Sequence, residues 1–289
     1  MVDVGPRDGL QNEAAWVNTL QKVELIERLI MAGVKRIEVA SFVRTESVPQ
    51  MADAEEVLAA LRPRAGVRSV GVVLNRKGAL RALDTRVDEL GAVAVASDTF
   101  GQRNQNQTIE ESLLSAGEIL RLARERGRTA HVGIAMSFGC PFEGRIDPRR
   151  VVEIAKRLAD HRPTEIGVAD TIGVAVPSQV TELVSRVREA IGEIPVRVHF
   201  HNTRNTAIAN VLAAAEAGAH AVDASIGGIG GCPFAPNATG NVATEDVVYA
   251  LEHSGVHTGV RLGALIDAAK FCSPIWRSEE RRVGKECRS

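Results

Sequence analysis

Eight apolar, strand-like runs alternate with amphipathic stretches from one end of this chain to the other, and that alternation leaves few folds open. The runs are 2–4, 36–41, 68–74, 92–97, 130–137, 165–169, 196–200 and 221–225. Most are continuously apolar or nearly so, as strands must be when helices cover both faces and neither meets water. Between them apolar residues recur at helical spacing: Val23, Ile26, Leu29 and Ile30; then Leu113, Leu114, Ile119 and Leu122; then Val180, Leu183, Val184 and Val187. Asp147-Pro148 and Val176-Pro177-Ser178 read as helix starts, with proline where its missing N–H is not needed. No linker or low-complexity stretch divides the chain. Eight β-then-α units in about 250 residues predict an α/β fold, a (β/α)8 TIM barrel, with a small C-terminal helical extension. The alternative is an open doubly wound sheet, which requires a glycine-rich nucleotide loop after the first strand. That position reads Gly5-Pro6-Arg7-Asp8-Gly9, which is not such a loop.

Composition narrows the function. Apolar residues make up 45% of the 289 and aromatics only 3%, so the core must be built from Val, Ile, Leu and Ala. A net charge of −1 argues against a nucleic-acid or membrane partner. The longest apolar runs are too short to span a bilayer. The four cysteines, at 140, 232, 272 and 287, lie far apart with no Cys-x-x-Cys pair, which points to a reducing cytoplasm. Both ends break the pattern. The first strand is short against the usual length of about 5–6 residues, so residues are expected to be missing before it, and any targeting segment with them. Residues 277–289 switch abruptly to a charged, patternless run that reads as an adapter-derived tail, leaving 1–276 as the barrel domain. The tail carries five basic and three acidic residues, and its Cys287 is given no role.

Barrel enzymes draw their reacting groups from the C-terminal ends of several strands. Here those ends are polar: Arg7 and Asp8; Glu38 and Ser41; Ser97-Asp98-Thr99, with Arg103, Asn104 and Asn106 beyond; Asp170-Thr171; His199-Phe200-His201-Asn202; and Asp223 and Ser225. His199 and His201 are the sharpest pair. Residues two apart on a strand share a face, so two imidazoles can grip one cation, or simply hydrogen-bond at the strand end. Asp8 can add a carboxylate oxygen, because only strand eight separates strands one and seven. Asn241, past a glycine-rich loop at 227–231, can add a carbonyl oxygen. Two nitrogens and two oxygens with open positions suit octahedral Mg2+ or Mn2+ better than a closed zinc site, with zinc left open as the alternative.

The neighbouring residues have two readings each. Arg7 can stabilise an enolate or carboxylate, or pair with Glu38. Glu38 can orient a histidine, or be a buried carboxylate with one partner. Asp170 can orient a ligand or move a proton, or cap the helix beginning near 176. Cys232, between glycines and a proline, can be an acid or base on a moving loop, or an inert small hydrophobe. Cys140 and Cys272 read as inert. The glycine loop can also hold phosphate.

In this order the motifs resemble the 3-hydroxy-3-methylglutaryl-CoA lyase family. The matching text is Val4-Gly5-Pro6-Arg7-Asp8-Gly9-Leu10-Gln11-Asn12-Glu13; Ile37-Glu38-Val39-Ala40-Ser41-Phe42-Val43; Val48-Pro49-Gln50-Met51-Ala52-Asp53; Gly139-Cys140-Pro141-Phe142-Glu143-Gly144; Asp170-Thr171-Ile172-Gly173; His199-Phe200-His201; and Gly230-Gly231-Cys232-Pro233-Phe234-Ala235 running to Gly240-Asn241-Val242-Ala243-Thr244-Glu245-Asp246. The match runs from residue 2 to about 272.

The resemblance implies a barrel, a divalent cation, an acyl-CoA thioester substrate, assembly as a homo-oligomer (a dimer), and a place in leucine degradation and ketone-body metabolism. It implies Asp8, His199, His201 and Asn241 as metal ligands, Arg7 as the residue that stabilises the acetyl-CoA enolate, and Cys232 as its proton donor. Asp170, Glu38 and Glu245 match acidic positions that support metal binding and proton transfer. The implied reaction is a retro-Claisen cleavage to acetyl-CoA and acetoacetate or the corresponding keto acid, with Asp170 or a water on the cation taking the hydroxyl proton.

Two departures bear on the acyl group. Asn202-Thr203-Arg204-Asn205 stands where the family usually has Asp-Thr-Tyr-Gly, and residues 235–240 differ from the usual small residues and glycine. Citramalyl-CoA is therefore an alternative substrate. Condensation, as in isopropylmalate or homocitrate synthases, and a non-catalytic CoA- or metal-binding barrel are the other readings.

Overall fold

In the computed structural model, which describes residues 1–13, 15–231 and 240–272, the eight runs do become strands, and they close on themselves. The barrel strands are Val2–Asp3, Arg36–Ser41, Arg68–Val73, Glu89–Val95, Thr129–Ala135, Ile166–Asp170, Val196–Phe200 and Ala221–Ala224. All neighbouring pairs are parallel, and the first strand pairs with both the second and the eighth. The outward residues of the strands, Val132, Ile134, Ile166 and Val168 among them, join the helices in one continuous core of Val, Ile, Leu and Ala. Burial of that branched apolar surface is the main drive to fold, at about 25 cal/mol per Å2.

Local chemistry sets the helix starts. Asn18 caps Thr19–Ala32 and Thr108 caps Ile109–Glu125, each in a reciprocal capping box with Gln21 or Glu111. Asp147 accepts from Arg149 N at the start of Pro148–Ala159, and Pro177 opens Pro177–Ile191, as the sequence led us to expect. A last helix, Leu262–Cys272, packs on Thr19–Ala32, where Phe271 lies against Arg28. No helix among the described residues is long and apolar enough to cross a membrane.

The fourth strand differs from expectation. It begins at Glu89, three residues before the expected 92. A carboxylate reads as loop in sequence, but Glu89 is buried inside the barrel and held by Arg36 and His131. It belongs to a charged floor. Arg36 also reaches Glu165 at 2.6 Å, and His131 Nε2 meets Arg197 Nη1 at 2.9 Å. Arg197 then donates to Asp223 at 2.5 Å and to Glu38 at 3.2 Å. Buried ions need such partners, because an unpaired one costs several kcal/mol.

Candidate metal centre

The first strand ends in a single turn of π-helix, Gly5–Gly9, which swings Arg7 and Asp8 over the barrel mouth. Close packing explains why glycine closes that turn. A Cβ on Gly9 would lie 2.6 Å from Ile229 and 3.0 Å from Ser225 Oγ, in the loop after strand eight. On strand seven His199 faces inward, and His201 follows one step past the strand, bridged to Asn241 in antiparallel register. Asn202 N donates to Gly240 O at 2.9 Å and Val242 N to Phe200 O at 3.1 Å, which pins Asn241 beside the histidines.

Asp8, His199 and His201 thus converge. One potential ligand atom from each lies within 4.8 Å of the others, close enough to share one cation. The two rings stand 5.2 Å apart. Asn241 Nδ2 donates to Asp8 Oδ2 at 2.7 Å and to Ile229 O at 3.1 Å. Its Oδ1 is buried and has no hydrogen-bond partner among the described residues. A buried oxygen left without a donor is costly, and a cation beside Asp8 would satisfy it. The residues fit an oxygen-and-nitrogen site for a hard divalent ion.

The electrostatics favour the same reading. Burial alone would raise the Asp8 pKa, but Arg7, the two imidazoles and the Asn241 bond outweigh it and hold Asp8 below the usual carboxylate range, as an anion. Arg7 Nη1 donates to Asp8 Oδ1 at 2.9 Å, and its Nε and Nη2 donate to Glu38 Oε2 at 2.9 and 2.5 Å.

Two readings were open for Glu38, orienting a histidine or burial with a single partner, and the structure gives it two partners, neither a histidine. It bridges two arginines, Arg7 and Arg197. The carboxylate at the His199 ring is Asp223, 3.3 Å from Nδ1. Arg197 is the reason: two residues before His199, it shares the inward face and takes the second Glu38 oxygen. Sequence reading named Asp223 without a role and passed over Arg197 and His131, although the period of two that selected His199 also selects Arg197.

Asp170 accepts from Val174 N and Ala175 N, both at 2.9 Å, and its main-chain oxygen takes His201 N. It braces the loop beneath His201 and is not among the residues lining the cavity. Burial shifts its carboxyl upward. Glu245 accepts from Gly227 N with both oxygens at 3.0 Å, holding the glycine loop from behind. Cys232 lies outside the described residues, but Gly231 before it lines the cavity. Cys140 is a free, buried thiol beside Ser97 Oγ, 3.0 Å away.

Arg204 turns away from the cavity and donates to Gly173 O at 2.8 Å. Asn202 Oδ1 accepts Ala207 N, and Asn205 sits at φ 56, a left-handed conformation that asparagine tolerates in place of glycine. None of the three is among the described residues that line the cavity.

That cavity, about 630 Å3, runs from a rim with Arg44, Ser47 and Arg103, past the three converging residues, to His131 and Arg197 on the floor. A family model described as HMGL-like matches residues 1–272. A (R)-citramalyl-CoA lyase from Chloroflexus aurantiacus is 43% identical over 283 residues, 94% of this chain and 89% of its own length. A 3-hydroxy-3-isohexenylglutaryl-CoA/hydroxymethylglutaryl-CoA lyase from Pseudomonas aeruginosa is 40% identical, across 99% of this chain and 95% of its own. The crystal structure of hydroxymethylglutaryl-CoA lyase from the same species aligns with a TM-score of 0.92 at 40% identity, covering 98% of this chain and 94% of that one.

Proposed function

This chain belongs to the HMGL-like family, and from that premise we propose that it cleaves 3-hydroxy-3-methylglutaryl-CoA to acetyl-CoA and acetoacetate with Mg2+ or Mn2+. It is a carbon–carbon lyase, as its relatives are. The observation that carries the reading is the convergence of Asp8, His199 and His201, with Asn241 bonded to Asp8 and its buried Oδ1 without a partner among the described residues.

A divalent cation held by these four residues would polarise the tertiary hydroxyl of the substrate and stabilise developing negative charge. The hydroxyl proton passes to a water in the cavity, since Asp170 does not line it, C3 becomes a keto carbon, and the electrons of the C2–C3 bond pass to C2. The Arg7 guanidinium, fixed by Glu38 and Asp8, stabilises the resulting thioester enolate. Cys232, directly after the cavity-lining Gly231, donates a proton to C2. Glu38 acts through Arg7, Asp170 through the loop that carries His201, and Glu245 through the glycine loop. At the rim Arg44 and Arg103 suit the phosphates of CoA, and Arg103 already lies against Phe142.

The same reading carries a homodimer in the cytoplasm, where the free Cys140 thiol would stay reduced, and a role in leucine degradation and ketone-body metabolism. Citramalyl-CoA is the second substrate to weigh, because a relative of that name is 43% identical. It undergoes the same bond cleavage but releases pyruvate in place of acetoacetate.

The test follows acetyl-CoA and keto-acid release from both thioesters, with Mg2+ and after chelation. Asp8→Ala and His201→Ala should each lose about a thousandfold or more in turnover, equivalent to about 4 kcal/mol of transition-state stabilisation. They should also lose Mn2+ binding while remaining folded. Full turnover in metal-free buffer would sink the scheme.

A further inference from the structure

The cavity has two unlike halves. Strands one, two, seven and eight present Asp8, Glu38, Arg197, His199 and Asp223. Strands four to six present Val93, Gly133, Ala135, Gly167 and Ala169, above His131 of strand five. Register places these small residues at known depths. Ala169 pairs with His199, while Gly167 pairs with Arg197 and Gly133 with Gly167. The two glycines therefore lie one inward-facing layer below His199, about 7 Å along the strands. The cavity descends that far on this side, because Gly91, Gly133, Gly167 and His131 all line it.

The two glycines are there for different reasons. A Cβ on Gly167 would come within 3.3 Å of Gly133 Cα, so Gly167 serves close packing between strands. A Cβ on Gly133 would meet nothing within 4 Å. Gly133 is also not among the glycines with positive φ. Neither strain nor packing requires glycine there, and glycine inside a strand weakens it unless something must approach closely. What the missing side chain leaves is space.

The floor below is electrostatically closed. Arg197 and His131 are bound to each other and to Asp223, Glu38 and Glu89, so an apolar group above them strips no unpaired charge of water. Across the cavity Ser41 Oγ is buried, lines the wall and has no partner among the described residues. That hydroxyl asks for an oxygen-bearing ligand on the polar half, which leaves the carbon substituent to the other.

We propose that the hollow beside Gly133 is the subsite for the alkyl branch on C3 of the substrate, and that Gly133 determines how long a branch is accepted. On the lyase reading above, on which this rests, the chain cleaves 3-hydroxy-3-alkylglutaryl-CoA thioesters with branches of several carbons as well as the methyl compound. The bond broken is the same C2–C3 bond, and the branch leaves on the keto acid.

The experiment measures kcat/KM for 3-hydroxy-3-methylglutaryl-CoA and for its 3-hexyl analogue, in the wild type and in Gly133→Ala and Gly133→Val. The wild type should cleave both. The hexyl-to-methyl ratio should fall stepwise from Gly to Ala to Val, by about a hundredfold at Val, the discrimination a filled pocket gives. Cleavage of the methyl compound alone by the wild type, or a ratio that does not move in Gly133→Ala, overturns the subsite and leaves the lyase reading standing. Failure to cleave either thioester overturns both.

Discussion

Asp223 faces His199 Nδ1 with one oxygen and accepts Arg197 Nε with the other, so the ring that would offer Nε2 to a cation is held in one orientation. Burial alone would lower the His199 pKa, but the Asp223 bond and charge outweigh it and lift it above the ordinary imidazole value. A proton on His199 excludes a metal, so cation binding should strengthen as pH rises past that range. In Asp223→Asn the ring loses its anionic partner. Mn2+ affinity at the high-pH plateau should fall about 10–100-fold, and the midpoint of binding against pH should move lower. Titration of the apoprotein with Mn2+ from pH 5 to 9 reads both, and an unchanged plateau would remove Asp223 from the site. The His-x-His spacing made the histidines legible in the sequence. Their support was not, because Arg197 and Asp223 meet only when strands seven and eight lie side by side.

Among the elements, the turn Gly5–Gly9 and the loop around Gly230 hold each other. Gly230 has φ 104, and a Cβ there would lie 2.6 Å from Asn241 Nδ2 and 3.0 Å from the Asp8 main-chain oxygen. Two proposed ligands therefore depend on one missing side chain. Gly230→Ala should cost about 1–3 kcal/mol of stability from the disfavoured backbone. It should also weaken Mn2+ binding, because either Asp8 or Asn241 must move. Urea unfolding and Mn2+ titration check the two effects, and wild-type values in both would show that the loop gives way freely. The glycine run was visible in the sequence as a loop that can move or hold phosphate. That Asp8 and Asn241 are what it approaches is a tertiary fact.

At the scale of the molecule, the barrel closes where its two ends meet. Asp3 on the first strand accepts from Gly5 N and from Thr244 Oγ1, at the start of the helix Thr244–His253 beyond strand eight. Glu245 follows. Burial pushes both carboxyls up to about 7, and at Glu245 the charge of Asp3 adds to it. The unfolded chain releases these protons near the ordinary values of 3.8 and 4.5, whereas the folded chain keeps them to about 7. Between those limits the folded state binds more protons, so stability falls as pH rises through the window and levels off above it. Each such proton is linked to about 1.4 kcal/mol per pH unit. Glu245→Gln should make the decline in Tm from pH 5 to pH 8 shallower, and calorimetry showing parallel declines would refute the assignment.

The alternation of runs in the sequence determined the fold class, because strands buried on both faces must be apolar throughout and must alternate with helices that bury one face. Strand periodicity likewise determined that His199 would face the barrel mouth, and proline and cap residues determined where helices begin. The tertiary structure decided the rest. It drew Glu89, His131 and Arg197 inside, where charge survives only through partners from distant strands. It gave Glu38 two arginine partners, and turned Arg204 away from the cavity. It also left space beside Gly133. Each of these depends on what lies across the barrel, and a residue's own neighbours in sequence carry no record of that.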